Sequence, residues 1–198
     1  MNKERILVTG AAGQIGSELV PALRQRHGRE NVIAAGHNTQ LAEDIKNTGP
    51  SISVDVLDYQ QLNNAIKEHG VSIIFHLSSI LSALGEQKPQ LAFMVNVNGT
   101  YNVVEAAREN EVKLVVIPSS IDAFGPETPR DNTPNDTIQK PQTMYGVSKV
   151  FGERLGDDYW RRFGLDVRGV RFPGIISWKT EPTAGTTDYA VAIFYEAI

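Results

Sequence analysis

The sequence predicts an α/β protein built on an open, doubly wound parallel sheet. Three observations carry that expectation. Short runs rich in Val and Ile alternate with longer segments whose apolar residues recur every three or four positions. The short runs are continuously apolar, as in strands covered on both faces. The segments between them have room for helical crossovers, and right-handed crossovers place helices on both faces of one sheet.

In chain order, Ile6 to Val8 is the first predicted strand. A helix follows from Gln14 to Arg26, with Ile15, Leu19 and Leu23 on one face. Pro21 inside it predicts a kink or an opened turn, because proline has no N–H to donate. Asn31 to Ala35 is the second strand and Ser51 to Asp55 the third. Tyr59 to His69 is helical, with Leu62, Ala65 and Ile66 facing inward. Ser72 to Leu77 is the fourth strand, Pro89 to Asn110 one long helix, and Lys113 to Ile117 the fifth strand. Thr143 to Phe163 is a second long helix and Asp166 to Arg171 the sixth strand. Gly125 to Pro141 and Pro173 to Asp188 break this rhythm. Loops of such length bind something or remain disordered. The expected division is a dinucleotide-binding domain over residues 1–172 and the start of a substrate-binding region over 173–198.

Composition narrows the function. A 198-residue chain that is 41% hydrophobic buries a full core. Its formal net charge of -4 argues against a nucleic-acid partner, which selects basic surfaces. With no cysteine there is no disulfide, thiolate metal site or cysteine nucleophile, and no metal is expected. No apolar run reaches the roughly 18–20 residues of a membrane span, so no membrane partner is expected either. Met1 to Arg5 leads directly into a strand without the features of a signal peptide, so a cytoplasmic location is expected.

The first candidate site is Thr9-Gly10-Ala11-Ala12-Gly13-Gln14-Ile15-Gly16, between a predicted strand and a predicted helix. Gly10 allows a tight turn, Gly13 lets backbone approach a diphosphate, and Gly16 permits close helix–strand packing. The helix N-terminus, with Gln14 and Ile15, then offers free N–H groups to phosphate. The second strand ends Ala35-Gly36-His37-Asn38, with neither an acid for a ribose nor an arginine for a 2′-phosphate, which favours NAD over NADP. Asp55 and Val56 end the third strand, where Asp55 either accepts from an adenine amino group or caps the turn before Asp58. Leu77 and Ser78 end the fourth strand, in a small-residue stretch suited to a dinucleotide.

The second candidate site is catalytic. Tyr145 and Lys149 share a helix face at i and i+4. A neighbouring ammonium lowers the pKa of a phenol, which then serves as general base toward a hydroxyl. Ser119-Ser120 follows the fifth strand, and a hydroxyl there holds the reacting oxygen.

Thr9 to Gly16, Asn96-Val97-Asn98-Gly99-Thr100, Ser119-Ser120 and Tyr145-x-x-x-Lys149 together resemble the extended short-chain dehydrogenase/reductase family, with its Rossmann-like fold. His76 to Ala83, Phe124 to Pro129, Phe172 to Ser177 and above all Pro182 to Val191 are similar to its short-chain L-threonine 3-dehydrogenases. The resemblance implies NAD-dependent oxidation of the β-hydroxyl of L-threonine to 2-amino-3-oxobutyrate. It implies Tyr145 as base, Lys149 as its tuning partner on the nicotinamide ribose, and Ser120 on the reacting oxygen. It points to Ser82, Thr186 and Thr187 for the amino-acid head group, and to a homodimer formed by the helices at 89–110 and 143–163. It also implies an acidic residue where Gly36 stands and a smaller C-terminal substrate lobe beyond Ile198. Without that lobe, NAD binding with poor turnover is expected, because water is not excluded. Two competing expectations are a sugar-nucleotide epimerase or dehydratase of the same family, and a non-catalytic NAD-binding sensor.

Overall fold

A computed structural model describes residues 4–177, 179 and 189–197. Strands β1 (Ile6–Thr9), β2 (Val32–Gly36), β3 (Ser51–Ser53), β4 (Ile73–His76), β5 (Leu114–Val116), β6 (Ser119–Ser120), β7 (Asp166–Arg168) and β8 (Arg171–Phe172) alternate with helices. These are α1 (Gln14–His27), α2 (Glu43–Asn47), α3 (Tyr59–Glu68), α4 (Ser82–Gln87), α5 (Pro89–Ala92), α6 (Thr100–Glu109), α7 (Met144–Phe163) and α8 (Tyr189–Glu196). Six strands form one parallel sheet in the order β3-β2-β1-β4-β5-β7. The doubly wound Rossmann-like arrangement is therefore present.

Side chains of successive strand residues point to opposite faces, and both faces here are apolar. Leu7, Ile33, Ile74 and Val115 pack with Leu62 and Ile66 of α3, and with Val103 and Val104 of α6. Ile6, Val8, Val32 and Ala34 pack on the other face with Val20 and Leu23 of α1 and Ile45 of α2. Leu7, Ile33 and Ile74 are fully buried, and each contributes about 1.5–3 kcal/mol by leaving water.

Four features differ in detail from the sequence reading. First, α1 runs unbroken through Pro21. The proline leaves Ser17 O without its intrahelical donor, and Lys179 Nζ donates there at 3.3 Å. Second, the helix expected over 89–110 contains a π-helical segment, Phe93–Gly99, between α5 and α6. The widened turn accompanies Asn96, whose side chain is buried and bonded to the backbone of Ile80. Third, the fifth and sixth strands both break. Pro118 interrupts one and Gly169 the other, where a Cβ would lie 2.7 Å from Ile117 O. Beyond the break, β6 and β8 pair as a short parallel ribbon. Fourth, α2 and α4 are short helices that apolar periodicity did not reveal.

The Gly125–Pro141 segment is an ordered loop. Thr128 Oγ1 accepts from Gly125 N at 3.0 Å and donates to Ile138 O at 2.6 Å. α7 follows, with Thr143 capping it by accepting from Gly146 N at 3.0 Å. Gly164 ends it in the left-handed conformation (φ 70°).

Candidate active site

The strand order reverses between β1 and β4, since β2 leaves β1 on one side and β4 pairs on the other. Crevices at such switch points are where α/β sheets bind ligands. The glycine turn lies there. Gly10 has φ +68°, and a Cβ on it would fall 2.6 Å from Ser78 N. A Cβ on Gly16 would fall 2.6 Å from Ala11 Cα and from Gly10 O. Gly16, on α1, thus lets the helix lie against the backbone that leaves β1, in keeping with the close packing expected of it. Gly13 is different: its Cβ would meet only Gly10 O, at 3.3 Å. Gly13 precedes α1 with no side-chain cap, and the first turn of α1 carries no acid. Its leading N–H groups and the positive end of the helix dipole are left for an anion.

A cavity of about 240 Å³ opens from this turn toward α7. Gly10, Gly13, Gln14, Ile15 and Gly16 line one end, with Leu77 beside them. Ser82, Ser120, Tyr145 and Lys149 line the other. Ser78 supplies backbone against Gly10 and lines an adjoining, larger cavity of about 650 Å³ that runs along α7 toward β7. Asp55 and Val56 stand outside the smaller cavity's lining. Asp55 accepts from Leu57 N at 2.9 Å and lies 3.8 Å from His37, so here it shapes the turn. Val56 is buried and its carbonyl accepts from Asn102. Thr186 and Thr187 lie outside the described residues.

The reactive groups meet at the N-terminal end of α7. Lys149 Nζ lies 5.0 Å from the centre of the Tyr145 ring and donates to Pro118 O at 3.0 Å. Ser120 hydrogen-bonds with Tyr145 and accepts from Asp122 N at 3.1 Å. Burial pushes the Tyr145 phenol up to about 12; the Asp122 charge adds to this and the Ser120 hydrogen bond works against it. Burial pushes the Lys149 ammonium down to about 8, and Asp122 opposes that. The expectation that Lys149 depresses Tyr145 is therefore not met in this structure, where burial is the largest influence on the phenol. The ammonium sits over the ring and is turned to a carbonyl, and desolvation of the phenol outweighs it.

Several groups escaped the sequence reading. His76, fully buried at the end of β4, bonds Thr9 Oγ1 at 2.8 Å and Thr100 Oγ1 at 3.2 Å. Asn96 holds Ile80 N and Ile80 O at 2.7 and 2.9 Å and donates to Ser148 Oγ at 3.3 Å. It thereby ties the end of β4 to α7, one turn from Tyr145. Glu153 accepts from Ser119 Oγ at 2.5 Å and from Arg171 at 2.8 and 2.7 Å. Asp122, Phe172 and Ile175 also line the smaller cavity. The Asn96-to-Thr100, His76-to-Ala83 and Phe172-to-Ser177 stretches offered a signal for Asn96, His76, Phe172 and Ile175; Glu153 and Asp122 are legible only in three dimensions.

A phosphate turn at the switch point, opening into a cavity lined by tyrosine, lysine and serine, defines a Rossmann-type dinucleotide-binding protein. Gly13 lines the cavity without a side chain and precedes the uncapped start of α1, which makes the turn fit a diphosphate. The chain belongs to the NAD-dependent epimerase/dehydratase family, whose model matches residues 6–192. It is 46% identical over 197 residues to the mitochondrial L-threonine 3-dehydrogenase of Bos taurus, covering 100% of this chain and 52% of that protein. It is similar to the crystal structure of L-threonine dehydrogenase from Clostridium difficile, with 48% identity and a TM-score of 0.93, over 100% of this chain and 61% of that one. A monomeric L-threonine 3-dehydrogenase of metagenomic origin aligns at 42% identity and a TM-score of 0.91, over 98% of this chain and 61% of that one. The chain thus spans about half the length of the curated relative and about three fifths of the solved ones.

Proposed function

We propose that this chain carries the dinucleotide-binding and catalytic part of an NAD-dependent L-threonine 3-dehydrogenase, which oxidises the β-hydroxyl to give 2-amino-3-oxobutyrate. The observation that carries the reading is the convergence of Tyr145, Lys149 and Ser120 on the cavity that opens at the phosphate turn. The relatives named above, with threonine dehydrogenase in their names, support the choice of substrate.

The residues divide the work. Gly10, Gly13, Gln14, Ile15 and Gly16 hold the diphosphate, and Leu77 and Ser78 flank the nucleotide at the end of β4. Asp55 and Val56 border the adenine end. Tyr145 Oη takes the proton of the substrate hydroxyl, and Ser120 Oγ orients the oxygen from which it leaves. Lys149 supports the phenolate and contacts the nicotinamide ribose. NAD held by these residues would supply the hydride acceptor for Cβ and a ring charge near the phenol. Ser82, Thr186 and Thr187 hold the amino-acid head group. Residues 1–172 form the NAD-binding domain and 173–198 begin the substrate-binding region.

A homodimer is part of the proposal. Phe93, Tyr101, Trp160 and Phe163 are exposed on the helices expected to pair. The monomeric metagenomic relative makes sedimentation of this protein the deciding measurement. Among the described residues no helix is long and apolar enough to cross a membrane. We place the protein in the cytoplasm, consistent with its lack of cysteine, and fractionation tests this against the mitochondrial location in the bovine relative's name.

The central test is NADH formation, followed by absorbance, with NAD and L-threonine, set against UDP-sugars. Threonine-dependent NADH supports the reading. Its absence, with turnover of a UDP-sugar, rejects it.

A further inference from the structure

Asp122 stands in the candidate active site with no hydrogen-bond or ion-pair partner for its carboxylate among the described residues. It belongs to the 3-10 turn Ile121–Ala123 that follows Ser120, and it lines the same cavity as Ser120, Tyr145 and Lys149. Its backbone N–H is engaged with Ser120 Oγ. Among the described residues its carboxylate makes no hydrogen bond and no ion pair. The cation that shares the cavity, Lys149, is turned to Pro118 O. Asp122 is the only acid among the described residues lining this cavity.

A partly exposed carboxylate that lines a cavity and has no counter-charge among the described residues is open to a cationic ligand. Its field reaches both reactive groups, since it acts on Tyr145 and on Lys149. Asp122 lines the same cavity as Tyr145 and Ser120, the groups that would hold the reacting hydroxyl. In a vicinal amino alcohol the nitrogen is carried by the carbon next to the carbinol. A hydroxyl placed at Tyr145 and Ser120 brings such an ammonium to the neighbourhood of Asp122. Pairing there neutralises the carboxylate and weakens its hold on the phenol proton, so binding and activation work together.

We propose that Asp122 is the counter-ion for a substrate ammonium on the carbon adjacent to the reacting carbinol, and so selects vicinal amino alcohols over simple hydroxy acids. This rests on the reading that the cavity oxidises a hydroxyl, and it names a residue that sets substrate class.

The test measures binding to the NADH-loaded protein by calorimetry, where no turnover occurs. Three probes are used: L-threonine, 3-hydroxybutanoate (which lacks the amine) and 1-amino-2-propanol (which lacks the carboxylate). The wild-type protein is expected to bind L-threonine at least about tenfold more tightly than 3-hydroxybutanoate, and to bind 1-amino-2-propanol. Asp122→Asn is expected to lose about 10- to 100-fold affinity for both amines and none for 3-hydroxybutanoate. Asp122→Glu is expected to recover part of the loss. An unchanged preference in Asp122→Asn overturns the proposal and leaves the dehydrogenase reading standing. An absent amine preference in the wild-type protein overturns it without any variant. Asp122-dependent binding of 1-amino-2-propanol, with no oxidation of threonine, upholds the amine site and rejects threonine as substrate.

Discussion

Lys149 Nζ lies 5.0 Å above the ring of Tyr145 and donates to Pro118 O, so its charge sits over the aromatic face. The arrangement leaves the Tyr145 oxygen to Ser120 and to substrate. Tyr145→Phe keeps the ring and the packing but removes the proton acceptor. Turnover is expected to fall about 10²–10⁴-fold. NADH affinity, measured by nicotinamide fluorescence, stays near wild type. A variant with undiminished turnover removes this tyrosine from the mechanism.

The pH profile follows from the same pair. Burial, reinforced by Asp122, holds the phenol up at about 12, and kcat/KM is expected to rise with pH as the phenolate fraction grows. Burial holds Lys149 down at about 8 against the pull of Asp122, so its supporting charge is lost on the alkaline side. Replacing Asp122 by Asn removes an anion that disfavours phenolate and favours ammonium. Both limbs are then expected to move to lower pH, in a profile measured at saturating NAD.

The glycines of the phosphate turn separate folding from binding. Gly16→Ala puts a Cβ 2.6 Å from the backbone of Ala11 and lowers the melting temperature. Gly13→Ala meets only one oxygen at 3.3 Å, so the melting temperature changes little while the dinucleotide affinity falls. Equal NADH affinity in Gly13→Ala and wild type would count against the cradle.

Acid stability has two named sources. Burial works to raise the Glu153 carboxyl, but hydrogen bonds from Arg171, Ser119 and Gln139 overcome it and hold it at about 2. A depressed carboxyl contributes stability above its ordinary value of 4.5, which is lost as pH falls toward 2. Glu153→Ala removes the ion-pair partner of Arg171 and the acceptor for Ser119, and is expected to cost about 1.5–3 kcal/mol in urea unfolding at neutral pH.

His76 adds to the same loss. Burial first, with the Lys149 charge behind it, pushes the imidazole down from 6.5 to about 3. The unfolded chain takes up this proton below 6.5 while the folded one refuses it, so stability declines between those values. Urea midpoints of wild type and His76→Gln, compared across that window, should show a smaller decline in the variant.

Much of the architecture is legible in local sequence patterns. The continuous strands at Ile6, Val32 and Ile73, the inward face of Leu62, Ala65 and Ile66, and the glycine spacing at 10, 13 and 16 are local patterns. So is the tyrosine–lysine pair, because four residues make one helical turn. The π-helical segment was not readable, since Asn96 opens the helix to reach Ile80, sixteen residues earlier in the chain.

By itself the sequence determined the sheet, the phosphate turn and which helix face bears Tyr145 and Lys149, for these follow from backbone periodicity and glycine sterics over a few residues. Tertiary structure alone decided the rest: that Asp122 enters the cavity, that His76 joins Thr9 to Thr100, and that the phenol stands near 12. Electrostatics and desolvation depend on what surrounds a group in space, and those surroundings come from strands and helices far apart along the chain.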